Sequence, residues 1–352
     1  MSRQIPEESR KQSQRYQRDE SLDILRGLTT FAMILVNTAD SRTRPGWLAH
    51  ASGLHQSITF ADTIFPCFLF TAGLTEEATG GPPGIKKGLR RAAILSLYGV
   101  AYNNVELRKA VYGISRHIVY HQVLGRLGIA TAIGATGLPP SLLAALWHLL
   151  TSIRPFDPPG QSTQALLDCL VFGRNHLYDS VDGFDPEGLL GSLLMAPVSL
   201  ILGRQAYAIA HHYIQPRLSF SILPNLGLFI SLTGLLPQIR VPISKNHWTP
   251  TFVGLTTATS LVYWGTASIL SRFRASQFVA KIGRCSLEVY LISSFLHGAL
   301  SELGIWEKLA NLMINSLGIS DQLAYIANSS ILGIGMIPLS GLLFKKGWMI
   351  RV

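Results

Sequence analysis

From residue 22 onward the chain alternates between long apolar stretches and short polar breaks rich in Gly, Pro and charge. A helix needs about 20 apolar residues to cross a hydrocarbon layer of about 30 Å. It is also the form that satisfies every backbone N–H and C=O within one segment. Ten stretches fit or approach that length: 22–39, 58–74, 92–105, 117–136, 140–153, 188–204, 221–239, 251–270, 284–301 and 323–344. The third and fifth are the shortest for a bilayer. The expected fold is therefore all-α, a polytopic membrane bundle of about ten transmembrane helices. Residues 1–21 are polar and of mixed charge, with no apolar core, and read as a tail rather than a cleavable signal. Residues 22–352 form one transmembrane domain, with no internal repeat. Between the fifth and sixth stretches, Thr163–Phe172 has the pattern of a short amphipathic helix lying at the interface.

Composition agrees with this layout. Hydrophobic residues make up 48% of the 352 and charged residues 14%, against about 25% charged in ordinary soluble domains. That excludes disorder and argues against a soluble enzyme. The net charge of +10 raises the question of nucleic acid, and the placement of the cations answers it. Of the 30 Lys and Arg, 18 fall on the side shared by both termini and 10 on the other, with Arg26 and Arg126 inside spans. By the positive-inside bias both termini are cytoplasmic. Lys86, Lys87, Arg90, Arg91, Lys345 and Lys346 flank helices, so the excess is a topology signal and no nucleic-acid partner is expected. Cys67, Cys169 and Cys285 contain no Cys-x-x-Cys pair; they read as structural thiols, with no metal site. The sequon at Asn328 lies within an apolar stretch, beyond the reach of glycosylation.

Ionisable groups inside spans are costly and usually face the bundle interior. Asp23 and Arg26, three apart on the first helix, can neutralise each other. Asp62, four residues into the second span, and Arg126, in the fourth, have no partner in their own helix, so each is expected to meet one across the bundle. His50, His55, His176 and His247 lie in outer loops, where a histidine near its ordinary pKa can take a proton at physiological pH. Asp62 follows His50 by 12 residues at the same surface and could fix its tautomer. Asp185-Pro186-Glu187 and Thr249-Pro250 have the form of helix starts, and Arg284 with Glu288 that of an i, i+4 ion pair. No phosphate-cradling glycine loop is present.

The motifs Ser21-Leu22-Asp23-Ile24-Leu25-Arg26-Gly27 and Met33-Ile34-Leu35-Val36-Asn37 resemble the opening of the transmembrane acyltransferase superfamily. Within it, His50-Ala51-Ser52 with Thr59-Phe60-Ala61-Asp62-Thr63-Ile64-Phe65-Pro66 is similar to a signature of the heparan-α-glucosaminide N-acetyltransferase family and its compact relatives. So are His176-Leu177-Tyr178 with Asp185-Pro186-Glu187-Gly188, and Pro242 to Phe252. The chain departs from that pattern in the longer loop Gly53–Ser57, at Gly125, and at Arg284-Cys285. The resemblance implies transfer of an acetyl group from cytoplasmic acetyl-CoA to an amine or hydroxyl acceptor across the membrane. It implies His50 as catalytic base or acetylated nucleophile, Asn37 as its assistant and Asp62 as the acidic position. Arg126, His176, Glu187, Lys245 and Trp248 are then substrate- or donor-binding, and Lys86, Lys87, Arg90, Arg91, Arg272 and Arg274 plausible cations for CoA phosphates. The expected setting is an endomembrane (lysosome- or vacuole-like) or the plasma membrane, with a small-molecule acceptor and the lipid bilayer as partners and a homodimer left open. Two other readings stay open: acid-initiated cyclisation of a lipid or isoprenoid by Asp62, and a proton-coupled transporter using His50, Asp62 and Arg126.

Overall fold

The computed structural model describes residues 19–38, 44–51, 58–104, 122–154, 158–177, 184–212, 241–348 and 350. Among the described residues there is no strand, and twelve α-helices follow one another. They are α1 Glu20–Thr38, α2 Phe60–Ala78, α3 Ile85–Asn104, α4 Val123–Gly134, α5 Pro140–Thr151 and α6 Thr163–Val171. After a π-helical turn, Gly191–Met195, come α7 Ala196–His212, α8 Pro250–Leu270, α9 Ser276–Arg284, α10 Ser286–Glu302, α11 Ile305–Leu317 and α12 Asp321–Lys346. Nine of the ten expected apolar stretches fall on helices. The tenth, 221–239, lies outside the described residues, as do the tail to residue 18 and His55. By length and hydropathy, Gly191–His211 and Asp321–Lys346 are suited to cross a membrane, while α4 and α5 are apolar but shorter.

Several helix starts have a local cause. Thr249 caps α8 by accepting from the Phe252 amide at 3.3 Å, with Pro250 as its first residue. Ser162 caps α6 through Ala165 at 3.2 Å and Ser320 caps α12 through Leu323 at 3.4 Å. α11 is bounded by Gly304 and Gly318, both in the left-handed region.

α1 packs against α2, α8, α9, α10 and α12. Its approach to α9 depends on two glycines. A Cβ at Gly27 would overlap the Val279 carbonyl, and one at Gly283 the Asp23 carbonyl. α2 and α7 approach in the same way, through Gly73 and Gly203. Small residues that bring backbones together are typical of helix pairs whose association gains little from hydrophobic burial. One core, around Leu69, Trp147, Met195, Trp248 and Phe252, joins α2, α5, α7 and α8. A second, around Ile34, Ile282, Val289, Trp306 and Met336, joins α1 to α9–α12. Large apolar side chains also remain on the outside, among them Leu149, Val262, Ile331 and Ile334.

Two charge groups, built on the buried carboxylates Asp23 and Glu76, tie the helices together. Asp23 meets Arg26 at 3.4 Å, as its spacing foretold, and also Arg284 at 3.3 Å. The expected Arg284–Glu288 pair is therefore corrected: Arg284 turns to α1, and Glu288 accepts from the Ile350 amide. In the second group Arg204 on α7 donates to Glu76 on α2 at 2.7 Å and to the Gly134 carbonyl at 2.7 Å.

Candidate functional site

The N-terminal ends of α2, α4, α7 and α8 meet, and the motif residues gather there in two connected groups. The first is built on Asp62, in the opening turn of α2 and 1% exposed. Its Oδ1 lies 2.9 Å from His50 Nδ1 and 3.5 Å from Lys245 Nζ. Its Oδ2 accepts from the Ala51 amide at 3.1 Å, the Thr59 amide at 3.2 Å and the Thr59 hydroxyl at 3.0 Å. A carboxylate only accepts, so the ring nitrogen facing it carries the proton and Nε2 is left as the basic nitrogen of His50. The His50 side chain is 45% exposed, whereas its orienting carboxylate is not. A buried group thus fixes the tautomer of an accessible one.

The second group is built on Arg126, in the first turn of α4 and fully buried. A cation in that position needs a partner. Its Nη1 pairs with Glu187 at 3.0 Å, Nε donates to Ser192 at 2.9 Å, and Nη2 to the Gly188 carbonyl at 3.3 Å. The guanidinium also sits 4.8 Å from the centre of the Trp248 ring. Trp248, with φ of 48°, is the one non-glycine residue with positive φ among those described. For a bulky residue that backbone is strained. Gly191 makes the strain tenable, because its bare Cα leaves room for the Trp248 Cβ. The indole then packs edge-on against Phe65 of α2 and Phe252 of α8, at 5.8 and 5.5 Å. Phe65 lies one turn beyond Asp62, so the two groups share a wall.

α6 supports both groups from one side. Gln164 Nε2 donates to the Asp185 carbonyl at 2.8 Å and the Asn246 carbonyl at 3.2 Å. Asp168 Oδ1 accepts from the Leu189 amide at 2.7 Å. A Cβ at Gly188 would overlap both Asp168 and Gln164, so this position of the Asp-Pro-Glu-Gly motif is kept bare by α6. Burial, with Asp185 nearby adding to it against the Leu189 amide and Arg126, pushes the Asp168 carboxyl up to about 7. Burial likewise pushes His247 down to about 4. His247 is therefore neutral at physiological pH, with Nδ1 3.3 Å from the Ser244 hydroxyl and its ring against Phe184.

Of the residues singled out from sequence, His50, Asp62 and Lys245 come together, as do Arg126, Glu187 and Trp248. Asp62 and Arg126 each find ion-pair partners outside their own helix, as expected, and those partners come from the segments between helices. The expected helix start at Asp185-Pro186-Glu187 is corrected: these residues form a turn, in which Asp185 accepts from the Glu187 amide at 2.8 Å, and the helix begins at Leu189, which leaves the Glu187 side chain to pair with Arg126. Asn37 is in the last turn of α1 with its side chain exposed, and among the described residues it forms no hydrogen bond to His50 or Asp62. His176 ends the short turn Arg174–His176 after α6 and is half-buried. Of the predicted phosphate cations, Arg91 lies 4.0 Å from Glu76, and Lys86, Lys87 and Arg90 are exposed. Gln164, Asp168, Ser192 and Ser244 were not foreseen; the i, i+4 spacing of Gln164 and Asp168 on α6 was their one visible sign. Among the described residues no group of three or more His, Cys, Asp or Glu side chains could hold a metal ion. In comparisons with known proteins, no family model matches the chain and no curated protein is significantly similar to it.

Proposed function

We propose that the chain is an integral-membrane acyltransferase that moves an acetyl group from acetyl-CoA to an amine or hydroxyl acceptor, with His50 as base or nucleophile. The observation that carries this reading is the 2.9 Å contact between His50 and the buried, lysine-backed Asp62. In that arrangement the imidazole has a fixed tautomer, and the charge it gains on accepting a proton or an acetyl group meets a carboxylate already in place. The resemblance of the His50, Asp62, Glu187 and Lys245 segments to the heparan-α-glucosaminide N-acetyltransferase family names the acetyl donor. It also gives Asn37 the role of stabilising the developing oxyanion, which requires the end of α1 to approach His50 when substrate binds.

The membrane setting, with about ten spans and both termini cytoplasmic, rests on the run of apolar stretches, the cation bias and the exposed apolar faces of α5, α8 and α12. On that topology the His50 end opens away from the cytoplasm and the Lys86–Arg91 end faces it.

The test is incubation of purified protein in lipid nanodiscs with acetyl-labelled acetyl-CoA, with and without amine and hydroxyl acceptors. Acceptor-dependent CoA release, or label retained on His50, is expected. His50→Ala should abolish both while leaving the melting temperature within a few degrees of the parent. Full activity in that variant would overturn the site.

A further inference from the structure

We propose that α6 is a clamp that holds the two halves of the site in register, with Gln164 as its positioning residue. The Asp185–Gly188 turn carries Glu187, the partner of Arg126. The Ser244–Thr249 turn carries Lys245, the partner of Asp62, and Trp248, which covers Arg126. The two turns offer each other backbone carbonyls at Asp185 and Asn246. Two acceptors cannot bond directly; a primary amide, with two N–H groups on one nitrogen, can bridge them without adding charge. Gln164 is 2% exposed and does so, at 2.8 and 3.2 Å. One turn further along α6, Asp168 takes the Leu189 amide, so the first turn is held at both ends. Asn246 is the neighbour of Lys245. A shift of the Asn246 carbonyl is therefore passed to the ammonium that backs Asp62, and through Asp62 to the orientation of His50.

The activity arm of this proposal rests on the acyltransferase reading, and the exchange arm does not. Hydrogen exchange is measured on the full chain in detergent for the parent, Gln164→Leu and Gln164→Glu. The amides of Gly188, Trp248 and Thr249, bonded within the two turns, and those of Glu187 and Leu189, are expected to exchange about tenfold faster in both variants near neutral pH, with α9 unchanged. That factor is about the net worth of one hydrogen bond. In Gln164→Glu, lowering the pH returns a proton donor to the side chain, so protection should recover in part; Gln164→Leu has no such recovery. Where the parent turns over acetyl-CoA, both variants lower kcat about tenfold with KM for acetyl-CoA little changed. Loosening of one turn alone, of neither, or of α9 to the same extent overturns the clamp. A parent without turnover refutes the acyltransferase reading and leaves the exchange result to decide the clamp.

Discussion

Replacing Asp168 by Asn should change how the stability of the protein depends on pH, in a direction fixed by where Asp168 sits. The side chain is fully buried, and its Oδ1 takes the Leu189 amide at 2.7 Å, a bond the Asn oxygen can keep. Burial, chiefly, raises the carboxyl from 3.8 to about 7. Between those values the folded chain holds a proton that the unfolded chain has released, so stability falls as pH rises through the window. Below it both states are protonated, and above it both are ionised. About 3 pH units at ~1.36 kcal/mol each give at most ~4 kcal/mol. In a chain of this size that is on the order of 5–10 °C in melting temperature.

His247 acts with the opposite sign. Its pKa falls from 6.5 to about 4, so the stability it contributes is lost as pH drops from 6.5 toward 4. The two slopes largely cancel in the parent protein, and Asp168→Asn uncovers that of His247. Melting of the detergent-solubilised protein, followed by tryptophan fluorescence from pH 4 to 8, checks this. The gain of the variant over the parent should be near zero at pH 4 and reach a plateau above pH 7. A gain that does not change with pH would refute the burial argument.

Two further substitutions probe the frame. Arg126→Met leaves the half-buried Glu187 without its cation and should cost about 3 kcal/mol, read as a lower melting temperature or loss of folded yield; adding Glu187→Gln should restore part of it. Gly27→Ala drives a methyl into the Val279 carbonyl of α9 and should cost about 1–3 kcal/mol, while the same change at Gly335, where a Cβ would meet nothing within 4 Å, should be neutral.

The helices were legible wherever apolar residues run together, and harder to see where they alternate with charge. α9 interleaves Phe278, Val279 and Ile282 with Lys281 and Arg284, so an average over the window cancels what its periodicity would show. α11 buries only Trp306 and Ala310 and carries Glu307 and Lys308 in its first turn; its sign in the sequence was the glycine at each end rather than its hydropathy. Ion pairs divide in the same way. Asp23–Arg26 follows from helical spacing, whereas Arg284 pairs with a residue 261 positions away, brought near by the bare surfaces of Gly27 and Gly283.

The supporting helix of the site was read from sequence as amphipathic, and which way its two faces turn is the more informative fact. In water such a helix buries its apolar face and exposes its polar one. α6 is reversed: Gln164 and Asp168 are 2% and 0% exposed, while Leu166, Leu170 and Val171 are 45%, 77% and 56% exposed. Burying an amide and a carboxyl is costly unless they find partners, and theirs are the backbones of the two turns that carry Glu187 and Lys245. Leaving three large apolar side chains outward is unfavourable against water and costs nothing against hydrocarbon. The inversion is what the proposed membrane setting calls for: the same few residues select one side of α6 for the site and leave a side that would meet hydrocarbon.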